Sequence, residues 1–121
     1  MSYSFDNERP IYVQLVEKIR LDIISRKLKQ GEKIPSVRDF ALEARVNPNT
    51  MQKALAELEE EGLLYTERTN GKYVTDNKKL IEKIKKELAE EKVNNFLEDM
   101  NNIGISSKEI INYLKELGGD K

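Results

Sequence analysis

The stretch SVRDFALEARVNPNTMQKALAELEEEG, Ser36 to Gly62, reads as two short helices joined by a tight turn. Ser36 is placed to N-cap the first, with Asp39 at the third helical position, where a carboxylate suits the positive end of the helix dipole. Val37, Phe40, Ala41 and Ala44 follow at three- and four-residue spacing and form one apolar face. Arg45-Val46 makes the turn, with Val46 pointing inward as a plug. Asn47 then caps a second helix opened by Pro48, whose missing N–H costs nothing at a first helical position. Met51, Ala54, Leu55 and Leu58 give that helix its buried stripe, and Gly62 falls just past its end, where a left-handed residue closes a helix. Asn49, Thr50, Gln52 and Lys53 are left facing outward at its start. Such groups hydrogen-bond base edges and phosphates. A bracing helix, a turn and a second helix with a polar N-terminus is the pattern of a helix-turn-helix. The same residues would equally cap and solubilise an ordinary helix, so the chain beyond Gly62 decides between the two.

That chain is Leu63-Leu64-Tyr65-Thr66-Glu67-Arg68, then Thr69-Asn70-Gly71-Lys72, then Tyr73-Val74-Thr75. Leu64, Tyr73 and Val74 favour strands, and Asn70-Gly71 is the preferred pair for a two-residue hairpin turn. A hairpin directly after a helix-turn-helix is a wing. Its tip is flanked by Arg68 and Lys72, and a glycine between them lets backbone approach a phosphate or the minor-groove floor closely.

Upstream, residues 1 to 9 read as a loose arm with Tyr3 and Phe5 as anchors onto a partner or the core. Pro10 is placed to open a helix as its first residue. Ile11, Leu15, Val16, Ile19, Ile23, Ile24 and Leu28 predict an amphipathic helix to about Leu28 that closes the core behind the other two. Gly31 ends the connection, and Ile34 before Pro35 must be extended.

Composition narrows the function classes. The chain has 121 residues, 38% hydrophobic and 36% charged, enough for one small core with much helix surface. The absence of Cys and His excludes disulfides, thiolate chemistry and the usual zinc sets, and removes the commonest general base. No carboxylate pair stands at recognisable catalytic spacing, so no enzyme activity, metal or cofactor is expected. The N-terminus has no apolar signal-like region and no run of about eighteen apolar residues occurs, so a cytoplasmic chain with no membrane partner is expected. Net charge is −1, which by itself argues against nucleic acid. Charge is uneven, however. From Arg26 to Lys53 seven basic residues face three acids, a net of +4, while Glu57, Glu59, Glu60 and Glu61 crowd the far end of the second helix. That polarity suits end-on insertion of the helix N-terminus toward phosphates.

With these motifs in hand, residues 10 to 75 resemble the DNA-binding domain of the GntR family of bacterial transcription regulators. The carrying motifs are Pro10-Ile11-Tyr12-Val13-Gln14-Leu15, Gly31-Glu32-Lys33-Ile34-Pro35-Ser36-Val37-Arg38, Val46-Asn47-Pro48-Asn49-Thr50, and Glu61-Gly62-Leu63 with Gly71-Lys72-Tyr73-Val74. The resemblance implies that Arg38, Asn49, Thr50, Gln52 and Lys53 face DNA, with Gly71 in the wing. Together with Arg45, Asn47, Arg68 and Lys72 these form the expected DNA-binding set. Two departures matter. Many members carry Arg where Pro48 stands, so that contact is absent here or supplied by Arg45. Thr69 replaces the first glycine of the usual Gly-x-Gly wing, which weakens the expectation of minor-groove readout.

Residues 78 to 121 carry nine basic and nine acidic residues. Leu80, Ile81, Ile84, Leu88, Val93, Phe96, Leu97, Met100 and Ile103 recur at helical spacing until Gly104. Ser106 with Glu109 forms a capping box for a further helix bearing Ile110, Ile111, Leu114 and Leu117 and ended by Gly118-Gly119. Two short amphipathic helices cannot bury these faces alone, and a second copy of the chain is the expected partner. The dimer interface is assigned to Ile84, Leu88, Phe96, Leu97, Met100, Ile110 and Leu114. This shortness resembles the YtrA-type branch, whose C-terminal region is a small helical dimerisation unit.

The expected architecture is thus mainly α with a small β-hairpin: a winged helix-turn-helix over residues 1–77, then a helical dimerisation region over 78–121. The expected function is a sequence-specific DNA-binding regulator, a repressor, that binds an inverted repeat in double-stranded DNA as a homodimer. No effector class is written in the residues. The alternative is a winged-helix protein-interaction module, with the Glu57–Glu61 run docking a basic partner.

Overall fold

The structure, a computed structural model, describes residues 3–118, and the chain divides into two compact units, one ending at Ile84 and one beginning at Lys85.

The first unit is a winged helix. α1 (Ile11–Ile24), α2 (Val37–Ala44) and α3 (Pro48–Glu60) are followed by β1 (Leu64–Glu67) and β2 (Gly71–Val74). α4 (Lys78–Asn102) starts in this unit, where Leu80, Ile81 and Ile84 pack on its core. That core is built from Leu15, Ile19 and Ile23 of α1, Phe40 of α2, Met51, Leu55 and Leu58 of α3, and Leu63, Leu64 and Val74 around the hairpin.

α1 is shorter than the sequence predicts. Pro10 is extended (ψ 139°) and occupies the N-cap position, because the arm before it is tied back by Gln14. The Gln14 side chain accepts from the Asp6 N–H (2.9 Å) and donates to the Asp6 and Arg9 carbonyls (3.0 and 2.9 Å). Tyr3 and Phe5 anchor the arm as expected, with Tyr3 beside Phe40 at 6.3 Å between ring centroids. At its other end α1 stops at Ile24, where Arg26 at φ 66° reverses the chain. Leu28 reaches the core from outside the helix, its N–H bonded to the Asp22 carbonyl (2.9 Å).

α2 and α3 begin as read. The Ser36 hydroxyl accepts from the Asp39 N–H (3.2 Å), and Asn47 Oδ1 accepts from the Asn49 N–H (2.7 Å). Both helices end in paired closing bonds. For α2 these are Val46 N–H to Ala41 and Arg45 N–H to Leu42, and for α3 Leu63 N–H to Leu58 and Gly62 N–H to Glu59. Gly62 supplies the left-handed residue after α3 (φ 85°), and a Cβ there would lie 3.1 Å from Leu80 Cδ2.

The hairpin is wider-turned than Asn70-Gly71 predicts. Glu67 pairs with Gly71, so three residues, Arg68-Thr69-Asn70, make the loop. The Asn70 N–H bonds to the Glu67 carbonyl (3.2 Å) and Gly71 follows at φ 99°, the arrangement of the three-residue connection and not of the two-residue turn. A third segment joins the sheet where the sequence suggested only a connection. Lys33 bridges Tyr73, Ile34 N–H bonds to Lys72 O (3.0 Å), and Val74 N–H bonds to Glu32 O (2.8 Å).

The second unit comprises the rest of α4, then α5 (Ser107–Tyr113) and a π-helical turn, Leu114–Gly118. Gly104 is left-handed (φ 81°), and the Ser106–Glu109 capping box forms as expected. Gly119 of the predicted stop lies outside the described residues. Ile110 is buried, whereas Val93, Phe96, Ile103, Ile111, Leu114 and Leu117 are exposed.

Candidate nucleic-acid interface

Buried Met51, Ala54, Leu55 and Leu58 fix the roll of α3 about its axis, and this leaves Asn49, Gln52 and Lys53 exposed and Thr50 half-buried on the opposite side. Asn47 and Pro48 are exposed at the helix start, although Asn47 Oδ1 is committed to its cap. Asn49, Thr50 and Lys53 share an open groove with Ile11 and Tyr12 at the start of α1. The Lys53 ammonium stands 3.8 Å from the centre of the Tyr12 ring. Sequence reading did not single out Tyr12, since its partner is 41 positions away; its only signal was membership of the Pro10–Leu15 motif.

Arg38 lies exposed in the first turn of α2, and Arg45 is exposed at the α2–α3 turn in the left-handed region (φ 58°). Arg68 is exposed in the hairpin loop. Among the described residues, none of Arg38, Arg45, Lys53 and Arg68 takes part in an ion pair within the chain. Lys33, outside the expected set, is exposed beside the hairpin, with its Cε 3.4 Å from the place a Cβ of residue 71 would occupy. Gly71 is needed there chiefly for its positive φ.

Lys72 is placed differently. Its ammonium is 2.8 Å from Glu59 Oε2 and 2.9 Å from Thr66 Oγ1, and Thr66 in turn donates to Glu59 Oε1 (2.6 Å). It thus bolts the hairpin to the C-terminal half of α3. Hydrogen bonds from Lys72 and then Thr66 hold the Glu59 carboxyl below its ordinary pKa. Two residues on, Glu61 takes a two-pronged grip from Arg20 of α1 (3.0 and 2.7 Å). The acidic end of α3 is therefore half consumed by structural pairs. On the other face of the hairpin Tyr65 and Tyr73 stack at 5.7 Å.

α3 thus carries one end that is polar and exposed, with Arg45 in the turn just before it, and one end that is fastened to the fold. Among the described residues no helix is long and apolar enough to cross a membrane.

The family model described as bacterial regulatory proteins, gntR family, matches residues 11–74. The HTH-type transcriptional repressor YtrA of Bacillus subtilis (strain 168) is 34% identical over 113 residues, covering 92% of this chain and 86% of that protein. A GntR family transcriptional regulator from Listeria monocytogenes superposes with a TM-score of 0.87 at 40% identity, over 93% of this chain and 99% of the other. The DNA-binding domain of AraR, solved in complex with operator ORX1, matches 62% of this chain and 95% of its own, at 26% identity and a TM-score of 0.55. With its winged helix-turn-helix and short C-terminal helices, the chain belongs to the GntR family of bacterial transcription regulators.

Proposed function

We propose that this regulator is a repressor that binds an inverted-repeat operator as a homodimer. The observation that carries the reading is the exposed cluster at the start of α3, where Asn49, Gln52 and Lys53 stand clear and an exposed Arg45 precedes them in the turn. α3 enters the major groove by this end; Gln52 and Asn49 read base edges, while Arg38, Arg45, Thr50 and Lys53 hold phosphates. Arg68 serves the wing. Lys72, already bound by Glu59, serves as the fastening of the wing and makes no DNA contact. The repressor named YtrA and the AraR complex with operator DNA support a role of this kind.

The dimer rests on the second unit. Only Ile81 of the 25-residue α4 is buried, and that residue belongs to the first unit. Phe96, Ile103, Ile111, Leu114 and Leu117 remain exposed in the single chain, a large apolar surface for a monomer. Leu88, Leu97 and Met100 are half-buried and stay in the proposed interface; Ile84 packs on the core of the first unit and Ile110 is already buried in the single chain. An acidic docking site for a basic protein is less well supported, because Glu59 and Glu61 already have partners.

Two variants test the assignment of roles. Arg38→Ala should weaken binding to every sequence and lower the slope of log affinity against log salt by about one. Gln52→Ala should cost ~1–3 kcal/mol of discrimination at one base pair. An unchanged slope in the first, or equal losses on operator and random DNA in the second, contradicts that residue's role.

A further inference from the structure

We infer that Tyr12 is a positioning residue for DNA binding, holding the Lys53 ammonium in place before a phosphate arrives. The inference rests on the reading above that Lys53 meets the DNA backbone. The Tyr12 ring is half-buried and packed against the core, so it is fixed by the fold. Lys53 Nζ lies 3.8 Å from its centroid, well within the distance at which the negative face of an aromatic ring attracts a cation. Lys53 is exposed and makes no ion pair among the described residues, so this ring is the contact that restrains it. A lysine without such a restraint samples many rotamers and loses that freedom on meeting a phosphate. Here much of the ordering is done beforehand.

The position matters as much as the order. Tyr12 and Lys53 line the same open groove as Asn49 and Thr50, so the held ammonium sits among the groups assigned to reading and gripping DNA. An aromatic residue on α1 thereby acts on α3 without touching DNA itself. Tyr12→Phe keeps the ring and should keep the effect; Tyr12→Leu keeps an apolar filler and loses it.

The test is a double-mutant cycle on the full chain, using fluorescence anisotropy with a duplex from the region upstream of its own coding sequence, over a series of salt concentrations. Lys53→Met should weaken binding and lower the salt slope by about one. Tyr12→Leu should weaken binding about two- to fivefold when Lys53 is present, the range of an exposed cation–π contact, and have no further effect in the Lys53→Met background. Tyr12→Phe should match the wild type. Equal losses from Tyr12→Leu in both backgrounds, or Tyr12→Phe as weak as Tyr12→Leu, would overturn the inference while leaving the DNA reading intact. If Lys53→Met changes neither affinity nor slope, the phosphate role of Lys53 fails and the inference falls with it. Should Tyr12→Leu fold poorly, proton NMR of the DNA-free wild type decides. The Lys53 side-chain methylene signals next to the ammonium should be displaced upfield by the ring in both wild type and Tyr12→Phe, and their absence upfield overturns the inference.

Discussion

Arg45 occupies a backbone position that glycine would take more easily. Its φ of 58° completes the closing bonds of α2, and an L-residue there costs roughly 1–2 kcal/mol. The closing bonds would form as well around glycine, and nothing in the chain pairs with the exposed guanidinium among the described residues, so no side-chain contact accounts for arginine here. Strain retained beside the proposed binding surface points to a role for the side chain. Arg45→Gly should therefore leave the melting temperature equal to or above that of the wild type and weaken DNA binding; a drop of several degrees would show that Arg45 supports the fold. Most residue-scale features of the site were legible in sequence because they are local. Ser36, Asn47 and Ser106 cap as read, and the buried stripe of α3 fixes which of its residues face out. The contacts of Lys72 and Tyr12 were not legible. Their partners Glu59 and Lys53 come from other elements, and no periodicity links them.

At the scale of elements, the hairpin is held to α3 by the Lys72–Glu59–Thr66 cluster. The depressed carboxyl of Glu59 sets the pH dependence of this fastening. A carboxylate whose pKa is lower in the folded chain contributes stability that is present above its ordinary value of 4.5 and lost as pH falls through the folded value. Glu59 is partly exposed, so solvent screening holds the contribution at neutral pH to about 0.2–1 kcal/mol. Glu59→Gln should thus melt lower than the wild type at about pH 7, and the gap should narrow at about pH 3. A gap of the same size at both values would mean that the pair does not fasten the wing. The hairpin itself was legible from Asn70-Gly71, but its loop was not. Pairing of Glu67 with Gly71 is set by the register against β2 and the added Lys33–Tyr73 bridge, which no turn rule includes. The end of α1 was misjudged for a similar reason. Leu28 continues the apolar pattern, yet it reaches the core by a loop after Arg26 reverses the chain.

For the whole molecule, the proposed function divides between a first unit that reads DNA and a second that pairs two copies. Leu97→Asp places a charge on the half-buried stripe of α4 and should give a monomer in sedimentation, with operator affinity lost and the first unit still folded. A wild type that sediments as a monomer at micromolar concentration would remove the dimer. The helical pattern of residues 78–103 predicted more apolar surface than the chain buries by itself, and Val93, Phe96 and Ile103 are indeed exposed. It did not show that the first turns of α4 serve the winged-helix core, because a stripe gives spacing and not destination. The most direct measurement is fluorescence anisotropy with the chain's own upstream DNA against a scrambled duplex of equal length, at two salt concentrations, with stoichiometry. The account predicts tight binding to the native sequence, weak and strongly salt-sensitive binding to the scramble, and two chains per site. Equal weak binding to both duplexes, or one chain per site, would contradict it.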